Sequence, residues 1–519
     1  MATRFACDYE RTVAETTRGR ILGYVTDGIE VFKGIPYARA ARFHQPEAPE
    51  PWEDVLDATS FGFVCPLLET PRPNGELFVP HRYWPMDEDC LNLNVWTPGR
   101  DGGKRPVLVW LHGGGYESGS AIEHIAYEGE NMARYGDVVV VSVNHRLNVL
   151  GYFDLSAYGE EYANSANAGN ADIVAALRWV HENISRFGGD PENVTVFGQS
   201  GGGGKVTDLL QTPAADGLFA KAFNMSGVLH TLMHEDRVND GKSHVEFLLK
   251  ELGLKTVKEL EKAPWPALSA AYRRLKAAFG KEGKYYGNSP MKNDFYLGEP
   301  VKNGFREASA GIPMIISWVF GELTAFAEPE YDRNRMSGEE QARALEGLLG
   351  REDAERLTAL FREAYPERPP IDLLRADFLF RPGIIPYARK RSEINPNTWV
   401  YLFDHDLPIY GGQVPWHCAD IPYVFHNTQV VPTMQEEITE RLQEQLFRAV
   451  IAFARTGNPN HPGIPAWPAC TPEKDTVMIF SGETRTAENF DHRLIPELCR
   501  VMLPVFEKQR EKRMAKAQH

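Results

Sequence analysis

The chain has 519 residues, with 56 Lys+Arg against 71 Asp+Glu and a formal charge of −15 at neutral pH. That balance argues against a protein built to bind nucleic acid or an anionic membrane surface. An apolar share of 43 % and an aromatic share of 11 % exclude a disordered chain. A folded chain of this length buries roughly three quarters of its unfolded surface, so neither disulfides nor metals are needed for folding.

Residues 1–23 carry charges throughout and no apolar h-region. They are not read as a secretory signal, and a cytoplasmic protein is expected, with a secreted mature form as the alternative. No apolar run approaches the length of about 18 residues needed to span a bilayer, so no stable membrane anchor is expected. The six cysteines (Cys7, Cys65, Cys90, Cys418, Cys470 and Cys499) are too few and too dispersed for a disulfide scaffold. No CxxC or HExxH occurs, and no metal site is expected.

Residues 1–95 show turn signals and short alternating runs, which read as small β elements. From 105 the texture changes. The runs 107–111 (VLVWL), 138–143 (VVVVSV) and 194–197 (VTVF) are continuously apolar, as suits central strands covered on both faces. Between the last two, Ile173, Leu177, Val180 and Ile184 recur at helical spacing, predicting an amphipathic helix over 171–186. Strand, helix, strand, with buried strands, predicts an α/β fold around a large, mostly parallel sheet. Residues 232–310 read as a helical insertion with charged helices at 243–252 and 256–262. A strand is expected at 398–403 and a helix at 435–455, stopped by Gly457 and Pro459. Residues 504–519 read as a solvated helical tail.

Gly198-Gln199-Ser200-Gly201-Gly202 matches G-x-S-x-G, directly after the strand 194–197 and before a helix-like 205–210. Glycines flanking a serine in a strand-to-helix turn let the backbone turn sharply and leave the hydroxyl exposed. The helix N-terminus then favours the negative charge of acyl transfer. His112-Gly113-Gly114-Gly115-Tyr116 follows the strand 107–111. A glycine run there lets bare amides point into a cleft, as an oxyanion requires. Gly114 and Gly115, with the amide of Gly201, are the candidate donors, and His112 reads as structural. Spacing alone does not choose a base among 15 histidines, nor an acid among Glu322, Asp294, Asp404 and Asp420.

The chain resembles the type-B carboxylesterase family, the cholinesterase-like branch of the α/β-hydrolases. The likeness runs through 32–38 (FKGIPYA), 88–95 (EDCLNLNV), 144–147 (NHRL), 176–191, the G-x-S-x-G segment and 453–459 (FARTGNP). It implies a Ser200, Glu322, His417 triad, with Glu322 after a strand near 312–317 and His417 in PWHCAD. It further implies Ser226 as a support for the acid, a possible disulfide between Cys65 and Cys90, and ion pairs of Arg42 with Glu88 and Arg146 with Asp172. Three members brought into one site imply a single catalytic domain over 1–519. The expected function is hydrolysis of small or medium carboxylic esters through an acyl-enzyme. No cofactor is expected, the partner is a small-molecule ester, and the oligomeric state is left open. A lipase, amidase or carbamate hydrolase of the same mechanism is the alternative, ahead of a non-catalytic cholinesterase-like binding protein.

Several positions depart from the family pattern. Gln199 stands where Glu is usual beside the serine, Gly201 replaces Ala, and Gly202–Gly204 follow. Cys418 replaces Gly after the histidine, and Asp420 replaces Glu. Tyr83 and Trp84 lie too close to Cys90 to match a choline-binding tryptophan, so they read as core or pocket wall. These departures bear on substrate preference rather than on hydrolysis.

Overall fold

The computed structural model describes residues 5–68, 81–229, 238–324, 333–409, 412–431 and 434–516. In chain order its strands are β1 Phe5–Ala6, β2 Val13–Glu15, β3 Arg20–Leu22, β4 Tyr24–Thr26, β5 Ile29–Pro36, β6 Val55–Asp57 and β7 Asn92–Thr97. There follow β8 Arg105–Leu111, β9 Val139–Val143, β10 Gly189–Gln199, β11 Lys221–Met225, β12 Met314–Val319, β13 Thr398–Phe403, β14 Thr476–Phe480 and β15 Arg485–Glu488.

Strands β2, β3 and β6 form a small sheet, and the other twelve form one sheet in the order β1-β4-β5-β7-β9-β8-β10-β11-β12-β13-β14-β15. From β9 to β14 every pairing is parallel. The edges, β1-β4-β5-β7 on one side and β15 on the other, are antiparallel.

The apolar runs become strands because both faces of the sheet are covered. Along β8, Val107, Val109 and Leu111 enter one core cluster while Leu108 and Trp110 enter the other. The first face is covered by the helix Ala168–Asn183, which turns Ile173, Leu177 and Val180 inward. The second is covered by the helix Thr439–Thr456, through Leu442, Leu446, Val450 and Phe453. Each such buried side chain contributes about 1.5–3 kcal/mol relative to exposure. Gly457 ends the second helix in a left-handed conformation, φ 79°. Among the described residues no helix is long and apolar enough to cross a membrane.

Four helices follow within 238–310: Ser243–Leu252, Val257–Glu261, Trp265–Lys281 and Pro300–Asn303. Thr256 and Glu259 close a capping box on the second, which fixes its start. Three further helices, Gly338–Leu349, Arg351–Ala364 and Arg381–Ile394, have no counterpart in the sequence reading. The C-terminal helix starts earlier than expected, at Leu494, and runs to Lys516 with Pro504 inside it. Its first turns are anchored by buried Leu494, Leu498, Val501 and Met502, and that packing carries the helix through the proline.

Both implied ion pairs form. Arg146 clasps Asp172 with Nε to Oδ2 at 2.8 Å and Nη2 to Oδ1 at 2.7 Å, both side chains buried. Arg42 donates Nε to Glu88 Oε2 at 2.9 Å. The implied disulfide is corrected: Cys65 and Cys90 are both free, buried thiols. The Cys65 sulfur accepts the Leu147 amide at 3.3 Å. Its hydrogen bond with Cys90, reinforced by burial, holds the Cys90 thiol well above the ordinary range. Protonated thiols are poor nucleophiles for exchange. Trp84 packs edge-on against Phe61 beside Val64, Ala121 and Ile122, whereas Tyr83 is exposed rather than core.

Candidate active site

Strand β10 ends at Gln199 and the helix Gly201–Leu210 starts one residue after Ser200. Ser200 itself has φ 58° and ψ −124°, a conformation that costs a non-glycine residue about 1–3 kcal/mol. Two backbone bonds hold it there. Its amide donates to Met225 O at 2.8 Å, and its carbonyl accepts the Gly204 amide at 2.9 Å. The glycine run has a steric cause. A Cβ on Gly202 would lie 1.9 Å from Leu111 O, and one on Gly201 would lie 2.2 Å from Gly115 O. The first helical turn therefore presses against the end of β8 and the loop after it, which explains why Ala is absent at 201.

In that loop Gly114 and Gly115 have φ 86° and 65°. The Gly114 carbonyl turns inward to accept the amides of Glu117 at 3.3 Å and Ser118 at 3.0 Å. In a planar trans peptide the Gly115 N–H then points the other way. Among the described residues, the amides of Gly114, Gly115 and Gly201 find no acceptor. His112 is buried, 4.9 Å from the stacked ring of His145, with Nδ1 2.9 Å from Gly113 O, in keeping with a structural role.

Glu322 follows β12, and His417 lies in the loop after β13. The two loops are joined by the pairing of Gly321 with Trp416, in which the Gly321 amide donates to Pro415 O at 3.0 Å. This sets the carboxylate beside the imidazole, Glu322 Oε2 to His417 Nδ1 at 2.5 Å. The other carboxylate oxygen accepts Ser226 Oγ at 2.6 Å and the Val319 amide at 2.9 Å. The acid is thus fixed from three sides, and its side chain is fully buried.

The second ring nitrogen of His417 does not bond to Ser200. Its partner is Gln199, whose Nε2 lies 3.1 Å from His417 Nε2. With Nδ1–H committed to Glu322, His417 Nε2 accepts from the carboxamide. The Gln199 Oε1 accepts the Cys418 thiol at 3.3 Å, and Cys418 has φ 82°, where the family has glycine. Phe380 stacks on His417 with centroids 5.3 Å apart. Burial pulls the His417 pKa down, but the charge and hydrogen bond of Glu322, with the charges of Asp420 and Asp377, together outweigh it and leave the imidazole above its ordinary value. Burial, with the Glu322 charge adding to it, pushes Asp377 and Asp420 each up to about 7. Asp420 also accepts the Tyr401 hydroxyl at 2.8 Å.

The site residues read from the sequence therefore fall in two groups. Glu322, Ser226, His417 and Gln199 form one hydrogen-bonded chain. Gly114, Gly115 and Gly201 cluster where the loop meets the serine turn. Three contributors were not foreseen: Phe380 and Asp377, which come from the unread helical region, and Lys205, buried under the loop. Among the described residues one cluster has metal-ligand types, Asp475, Asp491 and His492. Its carboxylates are engaged by Arg381, which donates to Asp491 at 2.7 and 2.8 Å and also to Asp475.

A mostly parallel sheet with a serine turn after a central strand, and an acid and a histidine after later strands, defines an α/β-hydrolase. A family model described as the carboxylesterase family matches residues 10–494, and the chain belongs to that family. It is a carboxylic ester hydrolase. It is similar to the para-nitrobenzyl esterase of Bacillus subtilis, 35 % identical over 92 % of this chain and 96 % of that protein. It is also similar to the phenmedipham hydrolase of Pseudarthrobacter oxydans, 33 % identical over 91 % and 96 %. A solved esterase from the anaerobe Clostridium hathewayi, described as able to hydrolyze aliphatic aromatic polyesters, superposes with a TM-score of 0.93. It is 47 % identical, covering 96 % of this chain and all of that one.

Proposed function

We propose that the chain is a serine carboxylesterase in which Ser200 is the nucleophile, His417 the base and Glu322 the residue that orients the base. The observation that carries this reading is the chain Ser226–Glu322–His417, which ends on the residue next to a serine held in a strained strand-to-helix turn. His417 Nε2 exchanges Gln199 for the Ser200 hydroxyl, takes its proton as Oγ attacks the ester carbonyl, and returns it to the leaving alcohol. Glu322 holds the Nδ1–H tautomer and stabilises the imidazolium. The amides of Gly114, Gly115 and Gly201 receive the oxyanion. Water then cleaves the acyl-enzyme by the same route.

The substrate class is small or medium carboxylic esters, with aromatic esters included because the relatives are named for a para-nitrobenzyl ester and for aliphatic aromatic polyesters. Fluorophosphonate labelling and a p-nitrophenyl ester series from acetyl to decanoyl test the reading. Wild type labels and turns over; Ser200→Ala does neither. A Ser200→Ala variant with full activity overturns the assignment.

A further inference from the structure

We infer that Lys205 is a positioning residue of this reaction, an ammonium that pins the loop 112–116 so that the Gly114 and Gly115 amides face the oxyanion. The inference rests on reading those amides as the oxyanion donors.

Lys205 lies in the helix Gly201–Leu210, one turn beyond Gly201. A lysine there would ordinarily extend into solvent, but this one is 0 % exposed. Its Nζ donates to Gly115 O at 2.9 Å and to His112 O at 3.2 Å, and it lies 5.6 Å from the centre of the Tyr116 ring. All three partners belong to the loop. Among the described residues no carboxylate lies within ion-pair distance of Nζ. Asp208 and Glu123 act on it only at longer range, and burial lowers its pKa to about 7. Either protonation state keeps at least two N–H donors for the two carbonyls.

Burying an ammonium without a counter-ion is costly, whereas a methionine would fill the same space without that cost. What the lysine supplies in return is the orientation of two peptide planes. These bracket Gly113, Gly114 and Gly115, the most conformationally free stretch of the site, and so flank the two peptides that carry the Gly114 and Gly115 N–H groups. Donors aimed before the charge develops stabilise it without reorganisation. A second observation points the same way. The Gly115 carbonyl lies 2.2 Å from where a Cβ on residue 201 would be. Residues 201 and 205 lie on one helix face. The missing Cβ at 201 admits the carbonyl that Lys205 holds, so Gly201 and Lys205 serve one contact.

Three variants test this with p-nitrophenyl butyrate and a trifluoromethyl ketone, which forms an anionic hemiketal on the serine. Lys205→Met is expected to lower kcat by about 100-fold with KM within about threefold, and to weaken the ketone in the same proportion. Lys205→Gln, which keeps two N–H donors, recovers part of the loss. Gly201→Ala displaces the Gly115 carbonyl with the charge intact, and lowers kcat and ketone affinity together. A folded Lys205→Met with unchanged kcat and ketone affinity, or a loss confined to KM, overturns the inference. If Lys205→Met does not fold, unchanged kcat and ketone affinity in both other variants overturn it. Full activity in Ser200→Ala would instead overturn the nucleophile reading on which it rests.

Discussion

The carboxamide nitrogen of Gln199 lies 3.1 Å from Nε2 of His417, on the ring nitrogen turned away from Glu322. A neutral group thus occupies the place where a carboxylate is usual. Gln199→Glu adds a second carboxylate. An opposite charge favours the imidazolium, so the His417 pKa rises and the neutral base is lost at a higher pH. The acid limb of kcat/KM should move up by about one pH unit. A limb that stays in place shows that the Gln199 contact is absent in solution.

Glu322→Gln acts in the opposite direction. The His417 pKa is held above its ordinary value by the Glu322 charge, so removing that charge moves the acid limb down. Asp377 and Asp420, no longer opposed by it, ionise more readily and retain part of the shift. The larger effect is on rate. With the tautomer unfixed, kcat should fall by about 10³–10⁴-fold. Steady-state kinetics across pH report both, and an undiminished kcat would move the acid elsewhere.

Cys418 holds φ 82°, a left-handed backbone that a branched side chain resists. Cys418→Val should destabilise the fold by about 2 kcal/mol. Cys418→Gly should stay within about 1 kcal/mol of wild type, since relief of strain offsets the lost side chain. Urea unfolding of the pair decides; equal losses in both variants would show that backbone strain is not the cause.

Asp172→Asn leaves the Arg146 guanidinium buried without its counter-charge. The expected cost is about 3–5 kcal/mol, visible as a lower urea midpoint at an unchanged slope. The pair lies behind the small N-terminal elements, since Arg146 also donates to His44 O at 2.8 Å. Its loss should loosen that region without altering the pH profile of whatever activity remains.

Legibility followed the range of the forces involved. The runs 107–111 and 194–197 were readable as strands because two covered faces demand apolar residues at every position. The helix predicted over 171–186 was readable because one covered face demands a helical period. The serine turn and glycine loop were readable because sharp turns and close approaches restrict residue type locally. Glu322 and His417 are 95 positions apart and meet only through the Gly321–Trp416 pairing, so only the family likeness could pick them. Lys205 reads as a solvated lysine, and its burial is set by a loop 90 positions earlier. Pro504 reads as a helix start, yet packing upstream begins that helix at Leu494. The helices between 338 and 394 went unread although the period is there, as in Arg351–Ala364, which buries Ala354, Leu357, Phe361 and Ala364 at helical spacing.

Strands β8 and β10 are neighbours in the sheet, with Leu111 opposite Gly198. The glycine loop 112–116 and the serine turn are therefore the two exits of one non-local parallel pairing, and His417 arrives from farther still. Pairings of this kind form slowly, because the intervening chain must be closed before any contact rewards it. A refolding molecule should accordingly regain its helical signal well before it can cleave an ester. With the roles proposed above, the emerging polypeptide carries Ser200 long before His417, and so stays catalytically silent until the segment around His417 is in place.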